Sequence, residues 1–226
     1  MDAPPPGGIY VVHTPALHER RLVLSSALDS LGWRAVWVVE RDRADRGIRG
    51  VLRRRPHPRL NRGEVDVYLK HAATLRRIAQ GNGAALVLED DALFPAGFAE
   101  RFTRFAHGVP ADFDFVCFGA SCGLTVSPGP QHALFGLESG TRSMSGYLVT
   151  PACARVITAD LDARPLGQPI DLTVNGIIRE RQLRTYWSVP ALIDNGSETG
   201  RFPRSIAGGR WRRLARPVWR RLARMR

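Results

Sequence analysis

The chain has 226 residues, of which 44% are hydrophobic and 24% are charged, so it is long enough to bury a core and is not disordered as a whole. Its net charge of +12 is uneven, because residues 201–226 contain ten arginines and no acid, and residues 41–62 contain nine arginines against two aspartates. The remainder carries a net −5. The basicity therefore belongs to two segments, which excludes a surface that is basic throughout.

The sequence shows no signal for export or membrane insertion. Residues 1–6 have neither a basic nor an apolar region, and no apolar run approaches the ~18 residues that a spanning helix needs. The cysteines Cys117, Cys122 and Cys153 lack the spacing of a metal site and cannot all pair with one another. We predict that they are reduced and that the protein is cytoplasmic.

The N-terminal part predicts a β-α-β unit. Residues 9–12 are apolar and rich in strand formers, residues 18–31 place leucines on helical spacing before Gly32, and residues 35–39 again favour a strand. A crossover of this kind predicts parallel strands.

A long loop and a helix come next. Glycines, prolines and arginines in residues 41–62 predict a loop, which could bind an anionic acceptor or lipid head groups, or could simply be solvated. Residues 64–80 then predict an amphipathic helix that carries Glu64 and His71 two turns apart on nearly the same face.

The strand predicted at residues 84–88 ends in three consecutive carboxylates, Glu89, Asp90 and Asp91. Neighbouring acids repel each other and raise each other's pKa values unless a cation compensates them. Their oxygens suit Mg²⁺ or Mn²⁺, and ligands bind at the carboxyl ends of strands in open α/β sheets. The alternative is a strand end whose acids are solvated or cap the following helix.

The rest of the chain continues the alternation of helices and strands. We predict helices at residues 98–106, 151–161 and 172–182, strands at residues 113–118, 144–149 and 185–189, and a glycine- and serine-rich loop at residues 119–131. This pattern predicts a single α/β domain over residues 1–200, with a mostly parallel central sheet flanked by helices.

Residues 201–226 form a separate, basic segment. The sequence Trp-Arg-Arg-Leu-Ala-Arg occurs at residues 211–216 and again at residues 219–224, with Trp and Leu on one helical stripe opposite the arginines. This composition is typical of a helix in a membrane interface, so we predict that residues 210–226 bind an anionic membrane surface. The alternatives are a tail packed on the domain or a disordered one.

Residues 63–105 contain Gly63-Glu64, Lys70-His71 on the same helix, Leu88-Glu89-Asp90-Asp91 after the next strand, and Phe98. With these residues the stretch resembles glycosyltransferase family 25, the lipopolysaccharide-type glycosyltransferases. Weaker matches in the same order, which extend it to about residues 9–195, are Arg20-Arg21, Gly146-Tyr147, Pro169-Ile170-Asp171 and Pro190. Two positions depart from the family pattern, with Lys70 in place of the usual Ser and Val67 in place of a frequent Cys.

The resemblance implies a GT-A-like fold, a UDP-sugar donor and Mn²⁺ or Mg²⁺ as cofactor. It implies that the acidic triplet holds the metal, with Asp91 as the preferred direct ligand and Glu89 as the second. Glu89 or Asp90 could instead hold ribose or metal-bound water. Asp171 and Asp90 are the expected catalytic carboxylates. The residues expected to bind the donor are His13, Thr14, Glu64, His71, Glu89 and Asn195.

Two of these roles have alternatives. Asp171 is the expected base for the acceptor hydroxyl, but it could instead cap the helix that begins near Leu172. His71 could donate to a phosphate or sugar hydroxyl while Glu64 fixes its surroundings, or the two could brace their helix against the strand.

The expected protein is a cytoplasmic enzyme, peripheral on the inner face of the plasma membrane. It would move galactose or glucose from a UDP-sugar to a saccharide or lipid-linked saccharide acceptor of the envelope, with inversion. A nucleic-acid-binding protein or metal-dependent nuclease is the first alternative, although the usual nucleic-acid motifs are absent. The second is a catalytically silent relative that serves as an assembly factor.

Overall fold

A mixed β-sheet of seven strands forms the centre of the protein. The structure is a computed structural model and describes residues 7–40, 60–119, 132–134, 144–188 and 191–204. The sheet contains β1 (Ile9–Val12), β2 (Val36–Val38), β3 (Ala85–Glu89), β5 (Phe115–Cys117), β6 (His132–Leu134), β7 (Gly146–Val149) and β8 (Thr185–Ser188), and a separate ribbon pairs β4 (Ala92–Leu93) with β9 (Asp194–Asn195). The helices are α1 (His18–Ser30), α2 (Arg62–Ala79), α3 (Phe98–Gly108), α4 (Pro151–Ala163), α5 (Ile170–Glu180) and α6 (Gly196–Thr199).

The strand order is β2-β1-β3-β7-β5-β8-β6. Five strands run in one direction, whereas β7 and β6 run against their neighbours. The predicted α/β class and mostly parallel sheet are therefore confirmed. Neither the position of β7 between β3 and β5 nor its antiparallel direction could be predicted, because the hydrophobic pattern of a strand specifies neither its neighbours nor its direction.

Helices cover both faces of the sheet because successive side chains of each strand point to opposite sides. Ala85 and Val87 of β3 pack with the buried faces of α2, α4 and α5, and Leu86 and Leu88 pack with α1 and α3. All four side chains are fully buried. The result is a three-layered domain in which β3 is an interior strand, between β1 and β7, and ends at the acidic side chains.

Helix α2 begins earlier than its apolar pattern predicts. Asn61 accepts a hydrogen bond from the backbone N–H of Glu64 (3.0 Å), and the Glu64 carboxylate accepts one from the backbone N–H of Asn61 (2.8 Å). This reciprocal capping box fixes the start of the helix at Arg62, so that Gly63 lies in its first turn.

Three predicted segments lie wholly or largely outside the described residues. They are residues 41–59 of the arginine-rich loop, residues 120–131 of the second loop and residues 205–226 of the basic tail. The domain boundary at residue 200 and membrane binding by residues 210–226 thus stay predictions. Within the part of the chain that the structure describes, no helix has the length and apolar character that crossing a bilayer requires.

Candidate active site at the acidic turn

The acidic turn, Glu89–Asp91, is placed by the interior strand β3. Because β1 and β3 are parallel neighbours with Val12 opposite Glu89, both strands end at the same edge of the sheet. The backbone N–H of Glu89 donates to Ser145 O (3.0 Å), and that of Asp90 donates to Val12 O (3.0 Å). These bonds hold the three carboxylates beside the residues that follow β1, as the sequence predicted for the ligand-binding edge.

Asp90 is buried and surrounded by donors. Its Oδ2 accepts hydrogen bonds from His13 Nδ1 (2.9 Å) and from the Thr14 backbone N–H (3.0 Å), and its Oδ1 accepts one from Arg20 Nη1 (2.9 Å). Burial alone would raise the pKa of Asp90, but these hydrogen bonds and the Arg20 charge outweigh it and lower the pKa. Asp90 is thus a charged carboxylate whose two oxygens both accept hydrogen bonds and hold the donor groups around it in place.

Asp91 is equally buried but less well compensated. Its Oδ2 accepts a hydrogen bond from the Ser197 hydroxyl and lies 3.4 Å from Arg20 Nη1, and its Oδ1 lies 3.4 Å from Asn195 Nδ2. Burial and the nearby charge of Glu89 raise the pKa of Asp91 to about 6, despite Ser197 and Arg20. Asp91 is therefore the carboxylate of the turn that an added cation would stabilise most.

Residues 194–203, which we call the 194–203 segment, pack against the acidic turn. Asn195 pairs with Ala92 across the β4–β9 ribbon, and the Gly196 N–H donates to the Asp91 backbone carbonyl (2.8 Å). Asn195 Oδ1 also accepts from the Glu198 N–H (3.1 Å), which caps α6. The sequence analysis proposed Asn195 as a site residue, and the structure places it next to Asp91.

Glu89 is the most accessible acid of the turn, with 23% of its side chain exposed. Its Oε1 lies 3.3 Å from Nε2 of the fully buried His71, whose Nδ1 lies 3.0 Å from the Tyr147 hydroxyl. Burial, with a smaller contribution from Glu89, raises the pKa of Tyr147 well above 10, so its hydroxyl keeps its proton. Since a carboxylate only accepts, Tyr147 donates to His71 Nδ1 and His71 Nε2–H donates to Glu89. The chain from Tyr147 through His71 orients Glu89.

Asp171 lies in the first turn of α5, close enough to Glu89 for the Glu89 charge to act on it. Pro169 is the N-cap of α5, and Asp171 Oδ1 accepts from the Leu172 N–H (2.9 Å). Burial is the largest cause that raises the pKa of Asp171, and repulsion by Glu89 adds to it. The structure thus assigns the N-cap position to another residue and brings Asp171 towards the acidic turn.

Glu64 is occupied elsewhere. Its carboxylate closes the capping box of α2, whereas the ring contacts of His71 go to Tyr147 and Glu89. The bracing of α2 that the sequence suggested for Glu64 and His71 is thus carried by His71 alone. Lys70, the departure from the family pattern, is fully buried and pairs with Asp66 (3.0 Å), whose Oδ2 also lies 3.4 Å from the Thr14 hydroxyl.

A metal ion at the acidic turn would find few ligands among the side chains that the structure describes. Among the residues that the structure describes, no three His, Cys, Asp or Glu side chains are grouped to hold a metal ion. Mg²⁺ and similar ions commonly use one or two carboxylates together with substrate phosphates and water. The under-compensated Asp91 beside the accessible Glu89 fits such a site.

Four contributors to this site were not identified as site residues from sequence: Arg20, Asp66, Tyr147 and Ser197. Arg20 had a readable signal, because it precedes Leu24 and Leu28 at intervals of four on the buried face of α1. A cation on an apolar stripe requires a buried anion as partner. Tyr147 and Ser197 offered no comparable signal, since their partners are distant in sequence.

Comparisons with known proteins add little to this geometry. The chain is similar to the crystal structure of a glycosyltransferase involved in the glycosylation of the major capsid of PBCV-1, with 10% identical residues and a TM-score of 0.49 over 86% of this chain and 96% of that one. No family model matches the sequence, and no curated protein matches it. A similarity at this level does not establish a shared activity.

Proposed function

We propose that the protein is a metal-dependent glycosyltransferase that moves a hexose, galactose or glucose, from a UDP-sugar to a saccharide acceptor. The observation that carries the proposal is the pair of unequal acids at the carboxyl end of β3. Asp91 is buried and under-compensated, and Glu89 beside it is accessible. The resemblance of residues 63–105 to glycosyltransferase family 25 supports the same activity and a GT-A-like fold.

Asp91 and Glu89 would hold Mn²⁺ or Mg²⁺ together with oxygens of the donor diphosphate. When bound, the metal supplies positive charge that stabilises the leaving nucleoside diphosphate. Asp91 is positioned by Ser197, and Glu89 by His71. The protein's own contribution is thus to present two oriented carboxylates, which requires no third protein ligand.

Asp171 is the proposed base for an inverting transfer. The acceptor oxygen forms a bond to the anomeric carbon, the bond from that carbon to the diphosphate oxygen breaks, and the hydroxyl proton passes to Asp171. A carboxylate with a raised pKa is a better proton acceptor at neutral pH, and burial raises the pKa of Asp171.

The contacts revise the roles of two residues, Asp90 and Glu64, and leave two others unchanged. Asp90 binds His13, the Thr14 N–H and Arg20, which supports a positioning role rather than the catalytic role predicted from the resemblance. Glu64 caps α2, which supports a structural role. His13 and Thr14 remain proposed donor-binding residues, because they lie at the same edge as the acidic turn and His13 Nε2 is buried without a hydrogen-bond partner.

We further propose that the acceptor is an envelope glycan or its lipid-linked precursor. The support comes from the resemblance and from the Trp- and Arg-rich sequence of residues 210–226, which favours an anionic membrane surface. The protein would then work in the cytoplasm, peripherally on the inner face of the plasma membrane, and it is not expected to bind nucleic acid.

The direct test is release of UDP from UDP-galactose or UDP-glucose with Mn²⁺ present. Wild-type protein should release UDP, and Asp91→Ala should lose this activity at least about a hundredfold, as expected when transition-state charge stabilisation is removed. Asp162→Ala is the matched control, because Asp162 is an exposed surface acid paired with Arg76. If Asp91→Ala folds and keeps full activity, the acidic turn has no role in the mechanism.

A further inference from the structure

Arg20 is a buried arginine that joins three distant parts of the chain. Only 5% of the residue is exposed, although it carries a positive charge. Its Nη1 donates to Asp90 Oδ1 (2.9 Å) and lies 3.4 Å from Asp91 Oδ2. Its Nη2 donates to the Ser197 hydroxyl (2.8 Å) and to the Pro203 carbonyl (2.8 Å). One guanidinium therefore connects α1, the acidic turn and the 194–203 segment.

The arrangement around Asp91 depends on that connection. Ser197 accepts a hydrogen bond from Arg20, so its own hydroxyl hydrogen is directed to Asp91 Oδ2. Among the described residues, the one hydrogen-bond contact of Asp91 Oδ1 is the long one to Asn195 Nδ2 (3.4 Å). The two oxygens of Asp91 are thus distinguished, with Oδ2 held by the protein and Oδ1 the better placed of the two to meet a ligand.

The planar guanidinium is needed for this geometry. It presents several N–H groups in a fixed fork, whereas a lysine offers a single ammonium point. The guanidinium carbon also lies 5.6 Å from the centre of the Phe202 ring, which is buried against it. A lysine would conserve the charge beside Asp90 but could not reach Ser197 and Pro203 in the same orientation.

We propose that Arg20 is a positioning residue that sets the 194–203 segment against the acidic turn and thereby orients Asp91, through Ser197, towards the ligand. The part that concerns the ligand rests on the proposed function. Arg20 does not itself touch the reacting atoms in this proposal, so its removal should impair the site through Asp91.

The test compares Arg20→Lys, Arg20→Ala and Ser197→Ala with Arg21→Lys and Arg21→Ala. Arg21 is the adjacent, exposed arginine of α1 and lies over Trp37 instead of the acidic turn. Hydrogen exchange of residues 194–203 reports on the segment, and calorimetric titration of Mn²⁺ with UDP reports on the ligand site. The UDP-sugar assay supplies kcat and KM, and added guanidinium at tens of millimolar tests chemical rescue of Arg20→Ala.

We expect Arg20→Lys to fold. The backbone amide hydrogens of residues 194–203 should exchange at least about tenfold faster than in wild type, and the variant should bind Mn²⁺·UDP at least about tenfold more weakly. Ser197→Ala should weaken Mn²⁺·UDP binding with a smaller change in exchange, and both Arg21 variants should match wild type. If Arg20→Ala folds, guanidinium but not ammonium should restore part of kcat.

Two results would overturn the proposal. The first is unchanged exchange of residues 194–203 in Arg20→Lys, which would mean that Arg20 does not hold the segment. The second is faster exchange with unchanged Mn²⁺·UDP affinity and kcat, which would leave Arg20 a purely structural role. Failure of the wild-type protein to bind Mn²⁺·UDP would instead refute the proposed function, and the exchange measurement would still decide whether Arg20 holds the segment.

Discussion

At the scale of single residues, two adjacent aspartates with the same chemistry have opposite pKa shifts. Three donors around Asp90 lower its pKa, and burial beside Glu89 raises that of Asp91 from 3.8 to about 6. The charged form of Asp90 stabilises the folded state above its unfolded pKa, and this stabilisation is lost as the pH falls through the folded value. The charged form of Asp91 destabilises the folded state, so its contribution to stability falls as the pH rises from about 4 to about 6.

Asparagine substitutions should therefore have opposite effects on the metal-free protein. At pH 7.5, Asp90→Asn should lower the free energy of unfolding by about 3–5 kcal/mol, because it leaves Arg20 buried without its main anion. Asp91→Asn should raise that free energy by up to about 3 kcal/mol at pH 7.5, because burial and Glu89 disfavour the charged carboxylate, and by little at pH 4. Urea unfolding at the two pH values measures both. A loss of stability in Asp91→Asn at pH 7.5 would contradict the assignment.

Asp171→Asn tests the proposed base. Because the pKa of Asp171 is raised in the folded state, its neutral analogue should increase the melting temperature at pH 8, and the gain should disappear as the pH falls through the folded pKa. Turnover should fall by about 10²–10⁴, with donor affinity nearly unchanged. An unchanged kcat would return Asp171 to a structural role in the first turn of α5.

The acidic turn could be identified from sequence because three acids directly follow an apolar strand. The different roles of the three acids could not be predicted from sequence, because they depend on residues 70–106 positions away, such as His13, Arg20 and Ser197. A single sequence places Asp90 and Asp91 in the same local context. Only tertiary contacts lower the pKa of Asp90 and raise that of Asp91.

At the scale of elements, the 194–203 segment depends on a glycine. A Cβ at position 196 would lie 2.5 Å from Phe202 Cδ2 and 3.0 Å from the Asp91 carbonyl oxygen. Phe202 is buried and the carbonyl is backbone, so neither can move freely. The close approach of Gly196 therefore seats the segment on the acidic turn.

Gly196→Ala should lower the free energy of unfolding by about 1–3 kcal/mol through overpacking and should weaken Mn²⁺·UDP binding. The matched control is Gly176→Ala in the interior of α5, where a Cβ would meet only Glu180 Oε1 at 3.9 Å. That variant should gain about 0.5–1 kcal/mol from better helix propensity. Equal effects of the two substitutions on ligand binding would show that the seating of the segment is irrelevant to the site.

Regular elements with strong periodicity were predictable, and short paired ones were not. The pattern of residues 64–80 locates the start of α2 to within two residues. The observed first residue is set by the capping box of Asn61 and Glu64. The β4–β9 ribbon has two residues in each strand and joins positions about a hundred residues apart. Strands of two residues are too short to show a hydrophobic periodicity, so this ribbon could not be predicted from the sequence.

At the scale of the whole molecule, the charge distribution separates the described domain from a basic segment. The described domain carries the acidic turn at one edge of its sheet, whereas ten arginines fall in residues 201–226. We predict that truncation after Gly209 abolishes binding to vesicles containing anionic lipids and leaves transfer to a soluble acceptor intact. Flotation with vesicles measures the first and UDP release the second. Equal flotation of the truncated and full chains would exclude the membrane role of residues 210–226.

The central claim is that the acidic turn binds a UDP-sugar together with a divalent metal. The measurement that tests it most directly is thermal unfolding of wild type and Asp91→Asn with UDP-, GDP- and CMP-sugars, each with and without Mn²⁺. At a hundred times its dissociation constant a ligand adds about 2.7 kcal/mol, which for a chain of this size raises the melting temperature by about 5–10 °C. We expect this increase for wild type with a UDP-sugar and Mn²⁺ together, and its loss in Asp91→Asn. No stabilisation by any UDP-sugar, or the same increase in Asp91→Asn, would contradict the claim.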